Sequence, residues 1–321
     1  MKIRLGYVAI SLDLHEGSPN KTMTYKRFLE LPDDDTRLHK LQSLTKENLD
    51  ITRRVLIYNK AHDIALYRFT SKLIPLVTHN DVFDWDYIQP FQDVYTTIGN
   101  YIKERGLLVS AHPDHFTILN TPKKDVFESS LRDLEYHVRI FEAMDLSPAS
   151  AKLVLHVGGT YGSRKKAMER FIKQFKEIDP RYQSRIILEN DDKSFTAKEV
   201  LEICQELSIP MVLDIHHHFC NHNGEEIGDM IEEIFDTWRD QDRPPKIHVS
   251  SPKSEKQVRA HADYVDINFL MAFINKAKSL NRDFDIMIEA KQKDKALHQL
   301  MKDFKAIEGV NILDAGSLEV L

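Results

Sequence analysis

The chain has 321 residues and a formal net charge of −6, long enough for one large domain around a single buried core. Its apolar and charged fractions, 42% and 29%, are those of an ordinary folded protein rather than a disordered or fibrous one, and no apolar run approaches the length of a membrane span. Two cysteines, Cys204 and Cys220, are too few for a disulfide framework and predict a reducing, cytoplasmic location.

The opening run MKIRLGYVAIS is too short and polar in its apolar part for a signal peptide and reads as a first strand over 3–11. Further short aliphatic and β-branched runs predict strands at 64–70, 107–112 and 152–158, and near 185–190, 210–216, 246–250 and 284–290. They are nearly continuous in apolar residues, as parallel strands buried on both faces are. Helical periodicity lies between them at 44–63, 84–105, 127–144, 163–177, 196–207, 225–239, 267–279 and 293–306. In the first of these, Leu49, Thr52, Leu56 and Asn59 fall near one face. Eight strands alternating with eight helices predict a single TIM (β/α)8 barrel over 1–321; a doubly wound open sheet is the alternative. The longest irregular stretch, 12–43, follows strand one and belongs to the functional face of a barrel.

Most of these strands end on a metal-binding residue type. The runs LLVSAHPDH, KLVLHVGG, RIILEND, PMVLDIHHH, PKIHVSS and DFDIMIEAK end on His112, His156, Glu189, Asp214 with His217, His248 and Glu289. A fold that brings successive strand ends to one rim gathers them into a divalent-metal site at the C-terminal face, with carboxylates as bridges and neutral imidazoles as terminal ligands. His217 and His261 are placed to hold a further ion. Lys246 lies two residues before His248, so both side chains share a face of their strand. A lysine inside a barrel must pair, lose its charge or be modified; carboxylation by carbon dioxide would make it an anionic ligand, and a salt bridge is the plain alternative. HHHFCNH (216–222) is not a standard closed zinc motif, and HVGGTYGSRKK lacks the ending of a Walker loop.

The net acidity argues weakly against nucleic acid, but charge is unevenly placed. Lys123 and Lys124, Arg164 to Lys166, Lys253, Lys256 and Arg259, and Lys291 and Lys293 all follow predicted strands, whereas the acidic run 225–242 forms a helix and its following loop. A basic rim around the metal ligands suits a polyanionic substrate, with Arg164, Lys165, Lys253 and Lys256 as its contacts. His115 and Phe116 follow His112, Tyr7 lies in strand one, and Tyr25 and Phe28 lie in its long loop. Aromatic groups there would wedge or stack against displaced bases, or simply anchor their loops.

The ordered motifs YRFTSKLIPLVTHN, SAHPDHF, LHVGG, LENDD, LDIHHH, KIHVSS and IEAK resemble the UV damage endonuclease family over nearly the whole chain. That family is similar in fold to endonuclease IV, a repair nuclease with three metals. The resemblance implies incision immediately 5′ to cyclobutane pyrimidine dimers, 6-4 photoproducts and abasic sites in double-stranded DNA, leaving a 3′-hydroxyl and a 5′-phosphate. It implies manganese, three ions in all, on His112, His156, Glu189, Asp214, His217, His248, His261 and Glu289. It also implies a site histidine at His79 and a carboxylated lysine at Lys246, which with Glu189 make the catalytic set. No membrane and no obligate protein partner are expected, and a monomer is. Three positions depart from the family pattern: His115 and Phe116 replace the usual glutamine and tyrosine inserted at the lesion, and Ser11, expected with Tyr7 among the DNA contacts, replaces an asparagine.

Other readings stay open on the residues alone. An amidohydrolase on this barrel would show His-x-His at strand one, absent from GYVAIS; a sugar isomerase would not need the basic rim. A lesion-binding protein that does not cut would not need so complete a ligand set.

Overall fold

The structure, a computed structural model, describes residues 1–321. The short aliphatic runs form eight parallel strands: β1 (Lys2–Val8), β2 (Leu66–Phe69), β3 (Leu108–Ala111), β4 (Ala151–His156), β5 (Ile186–Glu189), β6 (Met211–Asp214), β7 (Lys246–Val249) and β8 (Phe284–Ile288). Each pairs with the next in the chain, and β8 closes on β1 with Ile3 opposite Phe284 through Tyr7 opposite Ile288. A sheet closed on itself with helices outside is a TIM barrel; the open doubly wound sheet is excluded.

Strand alternation divides the side chains. Val154, Ile187 and Val212 pack with Trp238 in an apolar cluster of their own, separate from the large core between strands and helices. Trp238 is held there by its indole N–H, which donates to the carbonyl of Met211 at 2.6 Å. Two residues further along the same strands stand His156, Glu189 and Asp214, so alternation places them directly above this lumen plug. Register then sets neighbours: His156 lies opposite Glu189, Asp214 opposite His248, and Lys246 opposite Asp285.

The helix after β1 runs over Asp34–Ala61, starting well before residue 44. Asp33 caps it by accepting the Thr36 N–H at 2.7 Å. Its first turns carry little apolar periodicity, which hid them, whereas Leu49, Thr52, Leu56 and Asn59 are buried as their spacing predicted. With a short helix at Tyr25–Leu29 as well, about half of the 12–43 stretch is helical. Two hairpins were not anticipated. Pro252–Ser254 pairs with Gln257–His261 above β7. At the chain's end Val310–Ile312 pairs with Ser317–Val320, which lies antiparallel to Lys2–Arg4 of β1. Because β2 meets only Gly6–Val8, the lower edge of β1 needs this partner for its backbone groups.

Candidate metal centre

Two groups of donors converge above the lumen plug. His112, His156 and Glu189 form one, and Glu189, Asp214, His248 and Glu289 the other; within each group the ligand atoms lie within 4.8 Å of one another. Glu189 belongs to both. The Nε2 atoms of His112 and His156 lie 3.3 and 3.8 Å from its Oε2. His248 Nδ1 lies 3.0 Å from Oε1 of both Glu189 and Glu289. Yet both oxygens of Glu189, Oδ2 of Asp214 and both ring nitrogens of His248 are buried without a partner in hydrogen-bond geometry. Buried polar atoms left this way are costly, and a bridging cation is what would satisfy them together.

The histidines are oriented for that task. Nδ1 of His156 points at the carbonyl of Glu189 (3.2 Å), that of His217 at Asn190 (3.0 Å), that of His261 at Glu289 (3.0 Å), and that of His112 at Pro113 (3.0 Å). A carbonyl only accepts, so each Nδ1 carries a proton and Nε2 is the nitrogen left to coordinate, the arrangement typical of metal-binding histidine. Asn190 also clasps Asp214, donating to its carbonyl at 3.0 Å and accepting its N–H at 2.9 Å. His216 differs: Nδ1 meets Ser250 Oγ at 2.5 Å and Nε2 the Val258 carbonyl at 2.6 Å. Both nitrogens are committed, and they tie the 252–261 hairpin to the barrel.

The electrostatics follow from burial and crowding. Burial would raise Glu189, but the adjacent His248 and His156 hold it well below the usual carboxylate range. Burial opposes protonation of His217, yet Asp214, Glu189 and Glu289 pull it up to about 9. Without a cation, imidazolium neutralises the carboxylates. Arg68, on β2, adds a permanent charge: it is 8% exposed and its guanidinium pairs with Glu289. Arg68 was missed as a site residue, although a charged residue within a fully buried four-residue strand is a signal in itself. Lys246 is 1% exposed and its Nζ has no hydrogen-bond partner. Burial first, then Arg243 and Arg68, hold its pKa well below the ordinary lysine value.

The remaining expected residues are placed unevenly. His217 and His261 stand beside the cluster, their ring centroids 6.1 Å apart, but they do not complete a third convergent group. His79 lies to one side, stacked on Tyr25 with centroids 4.3 Å apart and accepting the Asp81 N–H. His115 and Phe116 are exposed on the loop beyond His112. Lys165, Lys253 and Lys256 are exposed, while Arg164 is paired with Glu199 at 2.8 Å. Two expected DNA contacts need correction. Tyr7 is fully buried, its hydroxyl donating to Asn59 Oδ1 at 2.6 Å; strand alternation turns it away from the lumen, toward the Asp34–Ala61 helix. Ser11 is 2% exposed and donates to Asp294 Oδ2 at 2.5 Å, holding the loop after β1 rather than facing a ligand. Phe28 is likewise a buried anchor.

A TIM barrel whose strand ends gather imidazoles and carboxylates around one shared glutamate places the chain among barrel proteins with a candidate divalent-metal site at the C-terminal face. Residues 3–320 match the family described as UV-endonuclease UvdE. Curated relatives named UV DNA damage endonuclease include one from Bacillus cereus (strain Q1), 42% identical over 99% of this chain and 100% of its own length. Another, from Bacillus anthracis, is 41% identical with the same coverage. The chain belongs to this family. Among solved structures, that of SacUVDE superposes with a TM-score of 0.82 at 28% identity, covering 94% of this chain and 98% of the other. Endonuclease IV from Thermus thermophilus gives a TM-score of 0.54 at 12% identity, covering 94% and 98%, which is a likeness of fold.

Proposed function

We propose that this protein is a metal-dependent endonuclease acting on UV-damaged double-stranded DNA, cutting the phosphodiester immediately 5′ to cyclobutane pyrimidine dimers, 6-4 photoproducts and abasic sites. The products are a 3′-hydroxyl and a 5′-phosphate. The observation that carries this reading is Glu189, shared by two donor groups and buried with both oxygens unpartnered, in a chain of the UvdE family.

His112 and His156 hold one side of the centre, and Asp214, His248 and Glu289 the other, with Glu189 between them. His217 and His261 serve a third position. Manganese, held by these residues, would supply Lewis-acid neutralisation of the charge developing on phosphorus and would lower the pKa of the attacking water. Arg68 fixes Glu289 and adds positive charge beside the scissile phosphate. Lys246, whose charged form is disfavoured by burial and whose Nζ has no hydrogen-bond partner, is suited to carboxylation by carbon dioxide, which would bring a further anion up to the metals. Because its partners are Tyr25 and Asp81, His79 is assigned to the substrate rather than to a metal. Lys165, Lys253 and Lys256 hold the DNA backbone, supported by Arg164, and His115 and Phe116 enter the duplex at the lesion. The protein acts as a monomer in the cytoplasm, and no helix is long and apolar enough to cross a membrane.

The decisive variant is Glu189→Gln, which keeps the volume and removes the bridging charge. Incision of a dimer-containing duplex in manganese should fall by more than the roughly 10–100-fold expected for loss of an outer partner, with an unchanged circular dichroism spectrum. Wild-type cleavage by the folded variant would refute the metal role.

A further inference from the structure

The loop that leaves β3 carries a metal-centre histidine, His112, at one end and the exposed pair His115 and Phe116 in its middle. Directly beyond them the chain dives inward. Thr117 is 5% exposed, and its Oγ1 donates to Asp133 Oδ2 at 2.5 Å. Its own N–H closes a turn onto the Asp114 carbonyl at 2.8 Å, and Ser71 Oγ donates to the Asp114 carboxylate at 3.0 Å. The next N–H, of Ile118, donates to Ser130 Oγ at 2.8 Å. Asp133 and Ser130 share one face of the Lys124–Ala143 helix and are both buried. Farther on, Asn120 donates to the Gly159 carbonyl at 2.8 Å and accepts the Gly159 N–H at 3.2 Å.

Asp133 is unusual in this setting. It is 3% exposed, and no arginine or lysine pairs with it; the nearest basic group is His137, whose Nε2 stands 4.0 Å away. Burial raises its carboxyl to about 6. An isolated buried carboxylate is a poor way to build stability. Here its Oδ2 hydrogen bond goes to the residue next to the exposed aromatic.

We propose that Asp133, acting through Thr117 and backed by Ser130, is a positioning element that fixes the spacing between the metal centre at His112 and the lesion-probing pair His115 and Phe116. It thereby sets discrimination between damaged and intact DNA. Asp133 touches neither substrate nor metal in this account. Its effect is to stop the loop from relaxing, so that Phe116 reaches one base step while His112 stays on its ligand position. The inference rests on the proposed function, since it needs His115 and Phe116 to meet the lesion.

The test is Thr117→Val, which keeps the shape and deletes the hydroxyl. Hydrolysis of bis(p-nitrophenyl) phosphate in manganese, which needs the metals but no lesion contact, should stay within about two-fold of wild type. The ratio of kcat/KM for a dimer duplex to that for an intact duplex should fall about 10- to 100-fold, the size of effect a misplacement near 1 Å can bring. Phe116→Ala should lower the ratio similarly, and the double variant should fall no further than either single change, since both break the same unit. Asp133→Asn, whose amide oxygen still accepts from Thr117, should keep the ratio. Amide exchange across residues 114–118 should speed up in Thr117→Val and not in Asp133→Asn. Unchanged discrimination in folded Thr117→Val, or losses that multiply in the double variant, would overturn the proposal. If Thr117→Val does not fold, Ser130→Ala takes its place with the same expectations. If wild type shows no preference for the dimer, the functional reading fails on its own, and the exchange measurement still decides whether the clamp exists.

Discussion

His217 shows how the metal-free site is balanced. Its imidazole is pulled up to about 9 from an ordinary 6.5 by Asp214, Glu189 and Glu289, so it carries a proton that a cation bound at His217 would have to displace. A raised histidine pKa contributes stability that is fully present below about pH 6.5 and lost as pH rises through about 9. Over that same range the proton competes progressively less with a metal ion. Manganese affinity measured by titration calorimetry should therefore tighten from pH 6.5 to pH 9, with proton release visible as a buffer-dependent enthalpy; a flat profile would contradict the protonated resting state. Asp133 follows the same sign at lower pH, though for it the lost stability marks the burial of a charge. Its carboxyl is raised from 3.8 to about 6, so its ionisation favours the unfolded chain: the stability it contributes is complete below about pH 3.8 and lost as pH rises through about 6. Asp133→Asn should thus be more stable than wild type at pH 8 by up to roughly 3 kcal/mol, and the advantage should vanish near pH 4. Equal differences in urea unfolding at both pH values would show that the carboxylate is not strained by burial. The convergent donors His112, His156, Glu189, Asp214, His248 and Glu289 were legible in the sequence because each ends or directly follows an aliphatic run. Tyr7 and Ser11 were misplaced because a residue type says nothing of which side of a strand or loop it faces. Asn59 and Asp294, their actual partners, lie far away in the chain.

At the scale of elements, strands β4 to β8 were readable since a lumen-and-shell barrel buries both faces and leaves short unbroken apolar runs. The 252–261 hairpin was not, because it is polar and exposed and its anchor is a histidine, His216, spent on Val258 and Ser250. Nor was the closing strand Ser317–Val320, whose role depends on the mismatch in length between β1 and β2. Leu318 is fully buried beneath it. Leu318→Ala should cost roughly 2–5 kcal/mol in denaturant unfolding while leaving manganese affinity unchanged. Loss of metal binding in the folded variant would mean that this lower edge and the upper rim are not independent.

Across the whole molecule, closure of the barrel is what brings donor side chains scattered from His112 to Glu289 together at one end. The same closure stacks them over an apolar plug of Val154, Ile187, Val212 and Trp238, so the only open side is the rim where the basic loops stand. The net charge of −6 is then compatible with a DNA substrate, because the acidic helix around Ile227–Asp236 lies outside the barrel wall and the exposed lysines lie at its mouth. The central claim is that this rim cuts DNA beside a UV lesion by metal-assisted hydrolysis. The direct measurement is incision of an end-labelled duplex bearing one cyclobutane dimer, with manganese and with chelator, followed by mapping of both new ends. The account predicts a single manganese-dependent cut at the phosphodiester immediately 5′ to the dimer, with a 3′-hydroxyl and a 5′-phosphate. Equal cutting of the undamaged duplex, cutting that persists in chelator, or a different pair of ends would contradict it.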